Sequence, residues 1–209
     1  DLVERRVDLP AIVLLVSGGH TFLAHMESLT AIQLLGSTRD DSVGEAYDKV
    51  ARLLGLGFPG GPAVDKLAKT GKASIPFPRP MLNEGFEFSF SGLKSAVGRF
   101  LDKNPGVDHA DVAASFVSAC MEIMITKCKR ALEAYPAECL VVVGGVAASP
   151  QLREGTAELC DRMGVKLCLP PLKWSTDNAA MIGLAAWDYL NAGIMPPLAA
   201  TASLPITDF

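Results

Sequence analysis

An α/β fold is what this sequence predicts, and three features carry the prediction. Two strand-like apolar runs, Ala11 to Val16 and Thr21 to Met26, flank a tight glycine turn. A long amphipathic segment, Asp108 to Tyr135, precedes the uninterrupted apolar run Cys139 to Val143, the pattern of a strand buried on both faces. That run ends in Gly144-Gly145 and leads into another helical stretch, and helices alternating with buried strands build layered α/β cores.

The elements follow in order. After the first two strands, a third is expected at Ala31 to Leu35. From Val43 the apolar positions Val43, Ala46, Tyr47, Val50, Leu53 and Leu54 recur at helical spacing until Gly55, a helix stop. The segment Gly55 to Pro62 reads as a rigid, sharply bent loop, followed by a short helix near Pro62 to Lys69. Three prolines between Ile75 and Pro80 exclude regular helix there. The interval from about Asp40 to Gly106 thus reads as a mostly helical insertion. Within Asp108 to Tyr135, Val112, Phe116, Cys120, Ile123 and Met124 share one side. Beyond the buried strand, a helix is expected from about Pro150 to Met163, a short strand at Val165 to Leu169, and a last helix from near Ser175. Residues 195–209, with Pro196-Pro197, form a tail.

Bulk composition narrows the class. With 209 residues, 49% of them apolar and 20% charged, the chain can bury a core as one globular unit. No apolar run reaches the ~18 residues of a membrane span, and the start Asp1 to Arg6 lacks a signal-peptide layout, so a cytoplasmic protein is expected. Five cysteines without a Cys-x-x-Cys pair read as buried thiols rather than a disulfide framework or zinc ribbon. The net charge of −4 argues against a basic nucleic-acid face over the whole chain. Local stripes remain at Lys94, Arg99 and Lys103 or at Lys127, Lys129 and Arg130, for which solvated helix faces are the simpler account. The His-Glu-x-x-His, Gly-x-Ser-x-Gly and Walker lysine patterns are absent from the sequence.

Four places invite a site. Ser17-Gly18-Gly19-His20-Thr21 is a turn whose backbone N–H groups suit a phosphate, although an ordinary hairpin needs the same glycines. Gly144-Gly145, between a buried strand and a helix, lies where α/β folds let a ligand approach the main chain, although close packing also selects glycine. Asp48 interrupts an apolar helical pattern, either on a solvated face or in a site. Asp177, within Ser175-Thr176-Asp177-Asn178, offsets a helix dipole or ligates a metal. His20 and His25 are poorly spaced for one coordination face; His20 suits a phosphate or carbonyl contact and His25 packing or surface.

Ordered blocks along residues 11–190 resemble one family, the tRNA adenosine threonylcarbamoyltransferases (TsaD-like), once labelled O-sialoglycoprotein endopeptidases. They are Leu15-Val16-Ser17-Gly18-Gly19-His20-Thr21, Gly44-Glu45-Ala46-Tyr47-Asp48-Lys49, Phe58-Pro59-Gly60-Gly61-Pro62, Phe88-Ser89-Phe90-Ser91-Gly92-Leu93-Lys94, Gly144-Gly145-Val146-Ala147-Ala148 and Ser175-Thr176-Asp177-Asn178. The resemblance implies an actin/Hsp70/sugar-kinase-like (ribonuclease H-like) fold of two lobes, of which residues 1–209 are the second. It implies that Leu15, Val16, Ser17, Gly18, Gly19, Asp48 and Gly61, with Asp65 as a further contact, meet a nucleotide such as ATP or AMP, or threonylcarbamoyl-AMP. Asp177 is implied as one ligand of a divalent iron or zinc ion that polarises the carbamoyl group. The implied reaction moves the threonylcarbamoyl group from threonylcarbamoyl-AMP to N6 of the adenosine 3′ of the anticodon, in tRNAs reading codons that begin with A. Implied partners are tRNA, an actin-like paralogous subunit and a small ATPase subunit, with no membrane.

Two departures from the family pattern stand out. The family's His-x-x-x-His metal pair has no counterpart in this sequence, so the 209-residue piece is expected to be inactive alone. Ser149 stands where the family usually carries a substrate-contacting asparagine, which shortens the reach and removes the amide. Competing expectations are a non-catalytic actin-like scaffold of the same pathway and, with no motif behind it, a metalloprotease.

Overall fold

The computed structural model describes residues 7–28 and 30–195; the Asp1–Arg6 start and the tail beyond Met195 lie outside the described residues. Strands β1 (Ala11–Val16), β2 (Thr21–Ser28) and β3 (Ala31–Ser37) form an antiparallel meander. Strands β4 (Cys139–Val143) and β5 (Lys166–Cys168) add in parallel on the other side of β1, giving the order β3-β2-β1-β4-β5. A parallel neighbour requires a crossover, and the four helices between β3 and β4 supply it. Ile12, Leu14 and Val16 of β1 are fully buried, as the apolar run predicts.

Helix α1 (Val43–Leu53) starts with a serine cap: Ser42 Oγ accepts from the Glu45 N–H at 3.1 Å. Helix α2 (Gly60–Ala68) begins two residues before the expected Pro62. Helix α3 (Ser91–Lys103) is capped from a distance. Asp40 accepts from the N–H groups of Phe90 (2.8 Å) and Ser91 (3.2 Å) and from the hydroxyls of Ser89 (2.6 Å) and Ser91 (2.7 Å). Burial alone would raise the Asp40 carboxyl, but these four donors outweigh it and hold it below the ordinary range. Asp41 bridges Lys49 (2.7 Å) and Lys94 (3.0 Å). The Phe88 to Lys94 block is therefore explained by its docking onto Asp40 and Asp41.

Helix α4 (His109–Ala134) is capped by Asp108, whose side chain accepts from the Ala110 N–H, and supports both the sheet and the insertion. Its Lys127 is fully buried and donates to the carbonyls of Met81 (2.6 Å), Glu84 (2.6 Å) and Gly85 (3.3 Å), while Arg130 donates to Leu82 O at 3.0 Å. This corrects the basic stripe considered at Lys127, Lys129 and Arg130: two of its three cations turn inward to hold the 81–85 turn. Lys94, paired with Asp41, is likewise spoken for. Helix α5 (Pro150–Met163) matches its expected bounds and ends at Gly164, whose φ of 68° is a left-handed stop. Helix α6 (Ala179–Asn191) starts later than the expected Ser175. A 3-10 turn at Leu172–Trp174 occupies the approach, and Asn178 provides the cap, accepting from the Met181 N–H at 3.0 Å. No helix among the described residues is long and apolar enough to cross a membrane.

Candidate functional site

The carboxyl ends of β1 and β4 open onto a cleft of about 520 Å³. Two glycines allow the backbone to converge there. At Gly144, φ is 95° and a Cβ would sit 2.3 Å from the Val16 carbonyl oxygen, so no larger residue lets β4 leave the sheet past β1. At Gly44, a Cβ would lie 2.5 Å from Ser17 O, so α1 can seat its first turn directly on the β1–β2 turn. Two hydrogen bonds hold it: Gly44 N–H donates to Ser17 O at 3.2 Å and Ser42 Oγ to Gly18 O at 2.7 Å.

The cleft walls come from five places: Gly18 of the first turn, Gly44, Tyr47 and Asp48 of α1, the Pro59 to Lys69 stretch around α2, Gly145 to Pro150 before α5, and Thr176 before α6. Pro59, Pro62, Val146, Ala148 and Pro150 make much of the wall apolar. Both α2 and α5 aim their amino-terminal ends at this space, and neither is capped by the side chain of its own N-cap residue, because Pro59 cannot supply a cap and Ser149 makes none. Although Asp48 takes the Gly60 N–H of α2, the positive ends of the two helix dipoles suit an anionic ligand such as a phosphate.

The carboxylates divide the work. Asp48 Oδ1 accepts from the Gly60 N–H at 2.8 Å, tying α1 to the start of α2. Asp65 is 8% exposed and its Oδ1 lacks a hydrogen-bond partner among the described residues, as does the Tyr47 hydroxyl. Burial pushes the Asp65 carboxyl up, opposed by its polar neighbours Ser149 and Tyr47 and by the Lys69 cation. Burial likewise pushes the Tyr47 phenol well above its ordinary value, so it remains a donor.

Of the residues singled out in the sequence, Gly18, Asp48, Gly61, Asp65, Gly145 and Ser149 line this one cavity. Leu15, Val16, Ser17, Gly19 and Gly144 shape it from behind without lining it. The expectation of a free phosphate-binding turn needs correction, because Ser17 Oγ already accepts from the N–H groups of Gly19 (3.3 Å) and His20 (3.0 Å). His20 is exposed, and His25 is a packing residue: Nε2 meets Pro136 O at 2.9 Å and the ring lies against Tyr135. Asp177 is exposed, next to Thr176 on the cleft rim, and caps no helix. Among the described residues no three His, Cys, Asp or Glu side chains gather, so Asp177 can be at most one donor to an ion and these residues do not form a metal site by themselves.

Gly44, Tyr47, Lys66, Lys69 and Thr176 also line the cleft without having been assigned to a site from the sequence, although Gly44, Tyr47 and Thr176 stand inside the family-like blocks. Tyr47 belongs to the apolar stripe of α1, so periodicity alone assigns it to the core. Lys66 and Lys69 stand one and four residues after Asp65, a spacing that places all three near one helical face and was the available signal.

The family model described as TsaD, tRNA N6-adenosine threonylcarbamoyltransferase, matches residues 2–184. A tRNA N6-adenosine threonylcarbamoyltransferase of Staphylococcus haemolyticus is 47% identical over 201 residues, which cover 94% of this chain and 59% of the relative. One from Moorella thermoacetica is 48% identical over 206 residues, covering 95% and 60%. The chain thus spans 59% and 60% of the length of these curated relatives. Among solved structures, T. kodakarensis HypF superposes with a TM-score of 0.57 at 22% identity, over 79% of this chain and 21% of that one. The activator of the 2-hydroxyisocaproyl-CoA dehydratase from Clostridium difficile, with bound ADPNP, gives 0.53 at 11% identity, over 92% and 66%. At such identities these two show the fold alone, an actin-like α/β fold.

Proposed function

Because this chain belongs to the TsaD family of tRNA N6-adenosine threonylcarbamoyltransferases, we propose that it is the second, nucleotide-binding lobe of a transferase that modifies tRNA. The reaction moves a threonylcarbamoyl group from threonylcarbamoyl-AMP to N6 of the adenosine 3′ of the anticodon in tRNAs reading codons that begin with A. N6 attacks the carbamoyl carbon, the new C–N bond forms, the bond to the phosphate oxygen breaks, N6 loses a proton and AMP leaves. The partners are tRNA, an actin-like paralogous subunit and a small ATPase subunit, and the compartment is the cytoplasm.

One observation carries the reading: two helix amino termini, neither capped by the side chain of its own N-cap residue, face the same 520 Å³ cleft as Asp48 and Asp65. In this reading the helix ends hold the phosphate of AMP, with Lys66 and Lys69 adding positive charge at the rim. Asp48 and Asp65 accept hydrogen bonds from ligand hydroxyls, and the proline and valine wall excludes water from the acyl phosphate. Asp177 is one ligand of an iron or zinc ion whose other donors lie outside the described residues; when bound, the ion supplies Lewis-acid polarisation of the carbamoyl group.

Calorimetric titration of AMP and ATP into the chain, beside Asp48→Ala, tests the reading. Binding that weakens on the order of tenfold in the variant supports it, the loss expected for a hydrogen-bonded anion and its tie to α2. Failure of the unsubstituted chain to bind either nucleotide removes the site from this lobe. Ser149, which lacks the amide of the family's usual asparagine, favours a second reading, a nucleotide-binding scaffold without chemistry. A full-length protein that binds AMP but leaves tRNA unmodified would select it.

A further inference from the structure

Phe58 is the most exposed large apolar side chain among the described residues, at 87%. A single exposed ring on an unanchored loop would need no explanation, but this one stands on a short arch pinned at both ends. On its amino-terminal side, Gly55 turns the chain with a φ of 71° and the Leu56 N–H donates to Ala51 O at 2.8 Å, with the Leu56 side chain packed on the core. On its carboxyl-terminal side, the Gly60 N–H donates to Asp48 Oδ1 at 2.8 Å, and a Cβ at Gly60 would lie 2.7 Å from Ala51 Cβ. Only Gly57, Phe58 and Pro59 stand between these anchors, and all three are exposed. The fold therefore holds a phenyl ring in water, next in the chain to a proline that lines the cleft, and forgoes the stabilisation its burial would bring.

The surroundings of the ring select its partner. Docking of an apolar protein face calls for a contiguous apolar patch, whereas the exposed residues that follow on α2 are Pro62, Lys66 and Lys69. Their spacing of four and then three residues puts them on one side of the helix, and each lines the cleft. Lys66 and Lys69 close no ion pair among the described residues. The cleft carboxylates lie further in, Asp65 nearly buried and Asp48 half-buried, so the exposed charge along α2 is positive. From Gly60 to Lys69 the helix rises about 14 Å, a span that a few nucleotides of single strand cover. A flat π face followed by two free cations suits unpaired nucleic acid, whose base stacks on the ring while phosphates of the same strand meet the ammonium groups.

We propose that Phe58 is a stacking platform for an unpaired base of the RNA substrate at the mouth of the cleft, with Lys66 and Lys69 meeting the phosphates beside that base. The choice of RNA rests on the tRNA-modifying reading above. Stacking requires no base-specific hydrogen bond, so the platform grips a neighbour of the reacting adenosine whatever its identity and holds the strand there. A base inside a duplex has both faces covered by its neighbours and gains nothing from the ring.

Fluorescence anisotropy of the 209-residue chain with a labelled RNA hairpin carrying unpaired adenosines in its loop, beside the same RNA annealed to its complement, tests the platform. Hairpin affinity falls on the order of tenfold in Phe58→Leu, which is apolar but has no π face, and is retained in Phe58→Tyr. Lys66→Gln and Lys69→Gln each make the slope of log affinity against log salt shallower by about 0.7. The annealed duplex is insensitive to Phe58→Leu. AMP affinity, read by calorimetry, is the same in Phe58→Leu as in the unsubstituted chain, which separates stacking on RNA from stacking on the adenine of the nucleotide. Hairpin affinity unmoved in Phe58→Leu overturns the proposal and leaves the ring to a protein partner. An equal loss on the duplex overturns it too, as does a fall in AMP affinity without one in hairpin affinity. A chain that binds AMP but no hairpin sinks the platform and spares the nucleotide reading; hairpin binding that depends on Phe58 in a chain that binds no AMP does the reverse.

Discussion

Helices α4 and α6 are both apolar in composition, yet α4 buries fourteen of its 26 residues and α6 buries none. The difference lies in what surrounds them. α4 is threaded between β3 and β4, beneath the insertion, and its Phe116, Ile123 and Met124 are fully covered by the sheet and by α1 and α2. α6 follows the last strand of the sheet, and Ile182, Trp187 and Leu190 remain 64%, 63% and 56% exposed. Apolar composition makes a helix worth covering; the topology decides whether a layer is there to cover it.

Three substitutions probe that contrast, from the largest effect to the smallest. Phe116→Ala on α4 removes a ring fully enclosed by the core and lowers unfolding free energy by about 3–5 kcal/mol, measured by chemical denaturation. A loss below about 1 kcal/mol would mean that α4 is not the pillar of the lobe.

Asp40→Ala, at the remote cap of α3, costs about 1–2 kcal/mol near neutral pH. The pH dependence has a definite sign. Because its donors hold Asp40 below the ordinary carboxylate range in the folded chain, its contribution is present above the unfolded value of about 3.9 and is lost as pH falls through the folded value. Denaturation midpoints of the two proteins therefore converge in acid. A gap that persists after Asp40 is protonated would assign the effect to packing instead.

Trp187→Ser on α6 changes stability by no more than about 0.5 kcal/mol, since the side chain has little burial to lose. A loss as large as that at Phe116 would show that α6 is covered in solution and would remove the contrast.

The candidate site was legible only in part. Asp48, Gly61 and Gly145 stand in family-like blocks, Asp65 and Ser149 lie just beyond two of them, and all five line one cleft. Ser17 and Gly19 were readable as a phosphate turn, but the Ser17 hydroxyl takes the N–H groups that a phosphate would need. Whether a turn amide is free depends on a side-chain rotamer, which glycine content does not report. Tyr47 was hidden for the opposite reason: its apolar ring satisfies the helical period, and only the folded cleft shows its hydroxyl buried without a partner among the described residues.

Local signals determined the elements. Strand β4 and helix α5 run as periodicity, proline and glycine place them, because those signals act within a few residues of chain. Even α6, displaced from Ser175 to Ala179, exists as expected, with a 3-10 turn on its approach and Asn178 as its cap. Tertiary structure decided which polar groups are spent and which are left for a ligand. Asp40 and Asp41 close onto residues about fifty positions away, Lys127 is absorbed by the 81–85 carbonyls, and Asp65 keeps one oxygen open. All four are charged side chains of ordinary appearance in the sequence. Their fates differ because hydrogen bonding and desolvation depend on neighbours brought together by the fold, and chain order alone does not specify them.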